Sequence, residues 1–300
     1  MNRLANIAAH GRERIEAWRR SSDDVVLHRS YFYRTRHVSG VPVVVTIYDL
    51  IAELFPDERV NSPGVVEARA RSIEMADHVL AISETTRRDA IRHYGIDPAR
   101  ITTTPLASGL AIRGSAAGGD RRSTTVLYVG KRDGYKNFDA LVDAVGDPAV
   151  PPDINLVAYG GGRLTKAEQR RLAEKGLAGR VTHIEPDPAQ LDRLYRTAMA
   201  YVCPSKYEGF GLPVVEAMER ACPVIVADAG ALPEVADGAA LSFDPDDPAQ
   251  LTKHIVDLHE QPELRHQLSV AGEQQSSFFS WTRTAETTMA GYRAALEMGS

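Results

Sequence analysis

Short apolar runs alternate with longer stretches of helical hydrophobic spacing along most of the chain. The runs are rich in β-branched residues, which favour strands. The longer stretches place apolar residues on one side of a helix, and Ser83 marks a helix start. The pattern predicts strands at 25–28, 42–47, 78–82, 101–104, 125–129, 155–158, 181–184, 200–203 and 223–227. It predicts helices at 65–76, 84–93, 137–145, 165–175, 189–197, 212–220, 248–258 and 281–297.

This alternation indicates the fold class and the division into domains. Near-continuous apolar strands joined by amphipathic helices are typical of parallel sheets with helices on both faces. A small, polar, glycine-rich segment at 113–123 separates two such blocks and is predicted to be a linker. We therefore expect an α/β protein with two Rossmann-like, doubly wound domains, at 1–112 and 124–280. The last helix, at 281–300, either packs back on the first domain or ends the second.

Composition argues against several classes of site and partner. The formal net charge of −5 gives no support for a nucleic-acid partner. No apolar run approaches the length of a transmembrane helix. Cys203 and Cys222 lie in apolar sequence without metal-ligand spacing, as expected of buried thiols in a reducing compartment. We therefore expect a cytoplasmic protein without a metal site.

Residues 1–20 combine recurrent arginines with apolar residues at helical spacing. A basic amphipathic helix of this kind either packs on its own domain with a solvated basic face or lies on an anionic membrane surface. We favour the first interpretation. The second predicts peripheral association with the inner face of the membrane.

Two loops in the second block have the composition of a ligand site. In open α/β sheets, ligands bind beyond the carboxyl ends of the strands. The loop after the strand at 125–129 contains Lys131, Arg132 and Lys136 where a helix begins. Helix N-termini suit a diphosphate, although an exposed basic turn is the alternative. The loop after 155–158 contains Gly160–Gly162, which either lets the backbone approach a ligand or forms only a flexible turn.

The loop from Ser205 to Glu216 carries the most specific signal in the chain. A Gly-Phe-Gly turn leads into a helix, and Pro213 lies near its first position, where proline is tolerated. Glu208 lies at the mouth of the turn, and Glu216 lies about one turn inside the helix. A carboxylate in the second position can accept hydrogen bonds from vicinal hydroxyls such as those of a ribose. An apolar turn flanked by two acids is not typical of a solvated face.

Glu208 through Glu216 matches the E-x7-E motif of the family 4 retaining glycosyltransferases, which have the GT-B fold. The chain resembles this family along nearly its whole length. Further segments that resemble it are 46–51, 81–86, 128–138, 191–198, 202–205 and 227–240. The resemblance implies a retaining hexosyltransferase whose donor is a nucleotide sugar, of the GDP-mannose type or a UDP-sugar, and which needs no metal or other cofactor.

The resemblance also implies roles for individual residues. In the family, a basic pair neutralises the leaving diphosphate. Lys136 matches one member, and either Arg132 or Lys131 matches the other; we favour Arg132, because its planar fork suits phosphate oxygens. Glu208 would contact the donor sugar and Glu216 the ribose, so that Arg132, Lys136 and Glu208 are the expected catalytic residues. The other expected donor contacts are Gly130, Asn137, Gly160, Glu185, Pro186, Gly209, Phe210, Gly211 and Leu212.

On the acceptor side, the matching segments contain Tyr48, Asp49 and Ser83. Two features depart from the family. Tyr48 stands where the family usually has histidine, and the chain begins later than full-length relatives, so we expect a shortened N-terminal domain. The expected acceptor is a glycan, a lipid-linked molecule or a small molecule. The alternative is a catalytically impaired nucleotide-sugar-binding partner protein, and association with a second copy or a partner subunit stays open.

Overall fold

The computed structural model describes residues 25–30, 40–57, 64–110, 123–132 and 134–298. The helix predicted at 1–20 and all but the last residue of the linker predicted at 113–123 lie outside these residues. The chain forms two compact units, one comprising residues up to Pro105 together with those from Trp281, the other comprising Leu106–Ser280. Each unit contains one parallel sheet, which confirms the predicted α/β class.

The first unit has a four-stranded parallel sheet in the order β1-β2-β3-β4 among its described residues. The helix at Glu84–Tyr94 is capped by Ser83, whose side chain accepts a 2.9 Å hydrogen bond from the N–H of Thr86. The strands are β1 (Leu27–Arg29), β2 (Val43–Ile47), β3 (His78–Ala81) and β4 (Ile101–Thr103). The helices are α1 (Ile51–Leu54), α2 (Val65–Glu74), α3 (Glu84–Tyr94) and a C-terminal helix (Trp281–Met298).

Both faces of this sheet are covered, which explains why its strands read as continuous apolar runs. Alternate residues such as Val45 pack with apolar residues of α2 and α3. Val44 and Leu80 face the other way and pack with Ala295 of the C-terminal helix. That helix approaches closely at Gly291, where a Cβ atom would overlap the Leu80 side chain. The C-terminal helix is therefore one of the layers of the first unit.

The second unit has a six-stranded parallel sheet in the order β10-β9-β8-β5-β6-β7. The strands are β5 (Thr125–Val129), β6 (Asn155–Tyr159), β7 (Val181–Ile184), β8 (Ala200–Cys203), β9 (Val224–Ala227) and β10 (Leu241–Phe243). The helices are α4 (Phe138–Val145), α5 (Lys166–Glu174), α6 (Pro188–Thr197), α7 (Leu212–Met218), α8 (Leu232–Ala236), α9 (Pro248–Glu260) and α10 (Pro262–Ser276).

The strand order creates a switch point between β5 and β8. From β5 the chain moves to β6 and β7 on one side, then returns to place β8 on the other side of β5. The connections that leave these two neighbouring strands run to opposite sides, which opens a crevice at their carboxyl ends. The loops that follow β5 and β8 are the two that carry Lys136 and Glu208.

Among the described α-helices and strands, four were not predicted: α1, α8, β10 and α10. The first three are short and have too little hydrophobic pattern to be distinguished from loops. The α10 helix buries only Leu268, Gly272 and Ser276, so its apolar face is weak for its length. Among the described residues, no helix is long and apolar enough to cross a membrane.

Candidate active site

The loops after β5 and β8 meet at the switch point. The backbone N–H of Lys206 donates a 2.7 Å hydrogen bond to the carbonyl of Tyr135, which fixes one loop against the other. Next to this bond, the ammonium of Lys136 lies 2.6 Å from a carboxylate oxygen of Glu208. The same oxygen accepts a 2.7 Å hydrogen bond from the hydroxyl of buried Ser205. Two of the three predicted catalytic residues are therefore in direct contact.

The environment keeps Lys136 charged. Burial opposes its charge, but the nearby Glu208 carboxylate and its hydrogen bond outweigh that effect and raise the pKa of Lys136 above its ordinary value. The side chains of Lys136 and Glu208 are 21% and 16% exposed, so water screens the pair only partly. A fixed cation thus lies at the mouth of the crevice throughout the physiological pH range.

The backbone of Glu208 is held by a third loop, which follows β9. The N–H of Ala231 donates a 2.9 Å hydrogen bond to the carbonyl of Glu208. Gly230 packs so closely that a Cβ atom there would lie 2.6 Å and 2.7 Å from the backbone N and O of Glu208. Sequence reasoning missed Gly230. The available signal was a glycine in the loop after a buried strand, where glycine often allows a close approach of backbone.

The turn between Glu208 and α7 presents mainly backbone. Gly209 and Phe210 are buried, and the Phe210 ring packs edge-on against Phe279 at 5.4 Å between centroids. Gly211 is also buried, and a Cβ atom there would lie 2.9 Å from the Leu232 side chain. Leu212, which is half-buried, begins α7. A ligand at this turn would therefore meet peptide groups and the helix N-terminus more than side chains.

Glu216 lies in α7 and is half-buried. Burial raises the pKa of its carboxyl group, although the Tyr195 hydroxyl, 3.2 Å away, donates a hydrogen bond that opposes the rise. Tyr195 is fully buried in α6 and holds one side of the carboxylate. Arg220, also buried, donates to the backbone carbonyl of Glu216 at 2.8 Å and pairs with Asp192. Sequence reasoning did not identify Tyr195 or Arg220 as supports for Glu216.

The side chain of Arg132 is hydrogen-bonded to the glycine turn after β6, whereas the adjacent Lys131 is exposed. The Arg132 guanidinium pairs with Glu168 at 2.5 Å and donates to the carbonyls of Gly160 and Gly162, each at 2.9 Å. Its side chain is only 5% exposed. These contacts disfavour our preference for Arg132 as the partner of Lys136 in holding a diphosphate, because its donors are already in use. Lys131, the alternative that the sequence left open, is exposed.

The remaining predicted donor residues surround this turn and the start of α4. The N–H of Gly130 donates to the Tyr159 carbonyl at 3.0 Å, which holds the loop after β5 beside β6. The Asn137 side-chain amide donates to the Pro245 carbonyl at 2.9 Å, so it braces α4 against the loop after β10. Glu185 and Pro186 are exposed in the loop after β7. Pro186 lies beside the glycine turn, 4.0 Å from a Cβ atom built on Gly160.

The predicted acceptor-side residues lie in the first unit. Tyr48 is half-buried, and burial raises its pKa, so it is a neutral phenol at physiological pH. Asp49 accepts a 3.1 Å hydrogen bond from the N–H of Ile51 and lies 3.6 Å from the guanidinium of Arg69. Ser83 is fully buried, and its hydroxyl accepts the capping bond of α3. The capping bond alone explains a serine at this position, without any contact to a ligand.

A second network in the first unit was missed by sequence reasoning. Glu53 has no exposed side-chain surface and pairs with Arg69, whose side chain is 6% exposed. The hydroxyl of Tyr94 donates to the same carboxylate. Asp49 lies on the other side of Arg69. The network thus connects the loop after β2 to α1, α2 and α3.

Neither cysteine lies in a reactive environment. Cys203 and Cys222 are both buried. Burial raises the pKa of Cys203 to about 11, so its thiol is protonated at physiological pH. Within the described ranges, no three His, Cys, Asp or Glu residues are grouped so that they could hold a metal ion.

Solved structures share this architecture. Sucrose-phosphate synthase from Thermosynechococcus elongatus superposes with a TM-score of 0.72 at 24% identity, covering 93% of this chain and 75% of that one. HepE from Anabaena, solved in complex with UDP and glucose, superposes with a TM-score of 0.71 at 18% identity, covering 83% and 71%. At these identities the likeness shows the fold, which is the GT-B fold with its two parallel sheets.

Curated relatives are similar in sequence over most of the chain. O-antigen chain mannosyltransferase B of Escherichia coli is 28% identical over 310 residues, covering 93% of this chain and 77% of the relative. D-inositol 3-phosphate glycosyltransferase of Segniliparus rotundus is 29% identical, covering 95% and 68%. The enzyme of the same name from Acidothermus cellulolyticus is 31% identical, and the chain spans 63% of its length.

Two family models match the chain. The model described as Glycosyltransferase Family 4 matches residues 2–107. The model described as Glycosyl transferases group 1 matches residues 117–275, which is more than half of the chain and includes Lys136, Glu208 and Glu216. The chain therefore belongs to the glycosyl transferases group 1 family and is a glycosyltransferase of the hexosyltransferase kind.

Proposed function

We propose that this enzyme transfers a hexose from a nucleoside diphosphate sugar, bound in the second unit, to a hydroxyl of a glycan, lipid-linked or small-molecule acceptor, with retention of anomeric configuration. The contact between Lys136 and Glu208 at the switch point carries the proposal. Cleavage of the anomeric bond leaves negative charge on the diphosphate and positive charge on the sugar. A fixed ammonium beside a fixed carboxylate matches that separation of charge.

The donor would lie across the carboxyl ends of β5, β6 and β8. Lys136 and exposed Lys131 would neutralise the diphosphate, and the N-terminus of α7 would add its N–H groups. Glu216, which Tyr195 orients, would accept hydrogen bonds from the ribose hydroxyls. Glu208 pairs with Lys136, and a bound diphosphate would share that cation and leave Glu208 facing the sugar.

We propose that transfer needs no metal ion, because Lys136 and Lys131 would neutralise the charge that develops on the leaving diphosphate in the proposed donor pose. Donors follow from the names of similar proteins. The Escherichia coli relative is named a mannosyltransferase, and the HepE structure contains UDP and glucose. A mannose donor and UDP-glucose are therefore the first donors to test, and the family resemblance suggests GDP as the nucleotide of the mannose donor.

The test measures nucleotide release from GDP-, UDP- and ADP-sugars, with and without EDTA. Lys136→Ala and Glu208→Ala should each lower kcat by about a hundredfold or more, the cost of removing a preorganised charge from a transition state. Lys253→Ala is the matched control, because it removes an ammonium that pairs with Asp257 on the surface of the same unit. The control should keep the wild-type rate.

Each outcome bears on a separate part of the proposal. Release by the wild type no faster than by the Lys136 and Glu208 variants would refute transfer at this site. A rate abolished by EDTA and restored by Mg²⁺ would refute metal independence. Release only from UDP- or ADP-sugars would remove GDP-mannose as the donor.

A further inference from the structure

The glycine turn after β6 has an unusual backbone conformation. Gly160, Gly161 and Gly162 have φ values of +80°, +70° and +76°, three consecutive residues in the left-handed region. L-residues enter that region at a cost, so a run of this kind requires glycine. At Gly161 a Cβ atom would also lie 2.7 Å from the Gly130 carbonyl and 2.8 Å from a guanidinium nitrogen of Arg132. The backbone of the turn therefore packs closely against the guanidinium of Arg132.

Arg132 fixes the direction of the peptide groups of the turn, together with His183, whose Nε2 lies 3.1 Å from the Gly160 carbonyl oxygen. One guanidinium nitrogen donates to the Gly160 carbonyl and the other terminal nitrogen to the Gly162 carbonyl, both at 2.9 Å. In a trans peptide the C=O and the following N–H point in opposite directions. The N–H groups of Gly161 and Arg163 therefore point away from the guanidinium. Both residues are exposed, and neither N–H has an acceptor in the described part of the chain.

Arg132 is itself fixed from two sides. One Glu168 oxygen accepts from its Nε at 2.5 Å, while the other accepts from the Thr165 N–H at 2.6 Å in the capping box of α5. The guanidinium carbon lies 5.8 Å from the ring centroid of Phe138, which is buried at the start of α4. The arginine thus joins α4, α5 and the glycine turn into one rigid assembly.

We propose that Arg132 is a positioning residue for the donor, holding the Gly160–Gly162 turn so that the N–H groups of Gly161 and Arg163 are directed at the bound nucleotide, with Glu168 as its anchor. The inference rests on the proposed function, since it assigns the supporting structure of the same donor site. It also separates two adjacent cations by role: Lys131 meets the diphosphate, and Arg132 acts through the backbone of the turn.

The experiment compares Arg132→Ala, Arg132→Lys and Glu168→Gln with the wild type. A lysine keeps the charge but cannot reach the carbonyls of Gly160 and Gly162 together. Arg132→Lys should therefore behave like Arg132→Ala, with donor KM and the Kd for UDP or GDP raised about tenfold and kcat changed less. Glu168→Gln should shift them in the same direction by a smaller factor. Arg171→Ala is the control, because it removes an arginine that lies in α5 with Glu168 but pairs with Asp143. It should change neither the donor KM nor the nucleotide Kd.

Two readouts distinguish positioning from direct contact with phosphate. The salt dependence of nucleotide affinity should stay that of the wild type in the Arg132 variants, because no phosphate contact is lost. NMR relaxation of the glycine amides, measured without ligand, should show a more mobile turn. Wild-type affinity in Arg132→Lys, or a weaker salt dependence with unchanged glycine relaxation, would overturn the proposal. If the wild type binds neither UDP nor GDP, the proposed function fails, and the relaxation data alone decide whether Arg132 holds the turn.

Discussion

Replacement of Gly230 by alanine is a sharp test of how the active-site loops are held. An added Cβ atom would lie 2.6 Å from the backbone N of Glu208 and 2.7 Å from its backbone O. Backbone atoms cannot rotate away as a flexible side chain can. Restoring an ordinary contact of 3.4 Å requires the two loops to separate by about 0.8 Å. The substitution therefore displaces Glu208 without changing its chemistry.

The expected effect has two parts. Gly230 has a φ of +57°, and placing an L-residue in that region costs about 1–2 kcal/mol of stability. The displacement of Glu208 acts on catalysis, where a misplacement on the order of 1 Å can cost about a hundredfold in rate. We therefore expect Gly230→Ala to remain folded, with kcat lowered on the order of a hundredfold and nucleotide affinity changed much less.

Gly238→Ala provides the matched control. Gly238 also has a positive φ, +79°, but a Cβ atom there would meet nothing within 4 Å. The two variants thus share the backbone strain and differ in the contact with Glu208. Both should be compared by donor turnover, nucleotide affinity and denaturant unfolding. Equal kcat values in Gly230→Ala and Gly238→Ala would refute the claim that Gly230 sets the position of Glu208.

Two further predictions concern buried charges. Burial raises the pKa of Glu216, so nucleotide affinity should fall on acidification at a pH above the pKa of an ordinary carboxyl group. Tyr195→Phe removes a hydrogen bond that opposes this rise, so it should move the fall to still higher pH. Nucleotide affinity measured across pH checks both results. Arg69→Ala should destabilise the chain by about 3–5 kcal/mol in denaturant unfolding, because it leaves the Glu53 carboxylate buried without its counter-charge.

Controls for these predictions are available in the same chain. Glu216→Gln should show weaker affinity with no acid-dependent fall of this kind, and a fall that persists in that variant would contradict the assignment to Glu216. Arg92→Ala removes an arginine that is 82% exposed and lies 3.7 Å from Asp89. It should cost less than about 1 kcal/mol. An equal loss of unfolding free energy in the Arg69 and Arg92 variants would contradict the argument from burial.

Much of the fold followed from local pattern. The strands β5 and β8 begin and end at the predicted residues, because strands covered by helices form sharply bounded apolar runs between polar turns. The start of α3 at Ser83 was readable because capping is a contact between residues three apart. Elements such as α8 and β10 escaped prediction, because their few buried residues do not make a detectable period.

The candidate site was predictable where a motif is continuous in sequence. Glu208 and Glu216 were found because a turn and the first turn of a helix fix their spacing. Their supports were not, because these come from other loops. Lys136 contacts Glu208 across 72 positions in sequence, and Gly230 reaches the same residue from the loop after β9. No local pattern records such contacts.

The sequence by itself determined the two α/β blocks, the family resemblance and the acidic motif, because each depends on neighbouring residues or on short repeats of polarity. Only the tertiary structure showed that the Arg132 side chain is engaged inside the second unit, since it pairs with Glu168, 36 positions away. It likewise placed the C-terminal helix on the first sheet, where Ala295 covers Val44 and Leu80. An apolar residue in a strand shows that a surface must be covered, and only the folded chain shows what covers it.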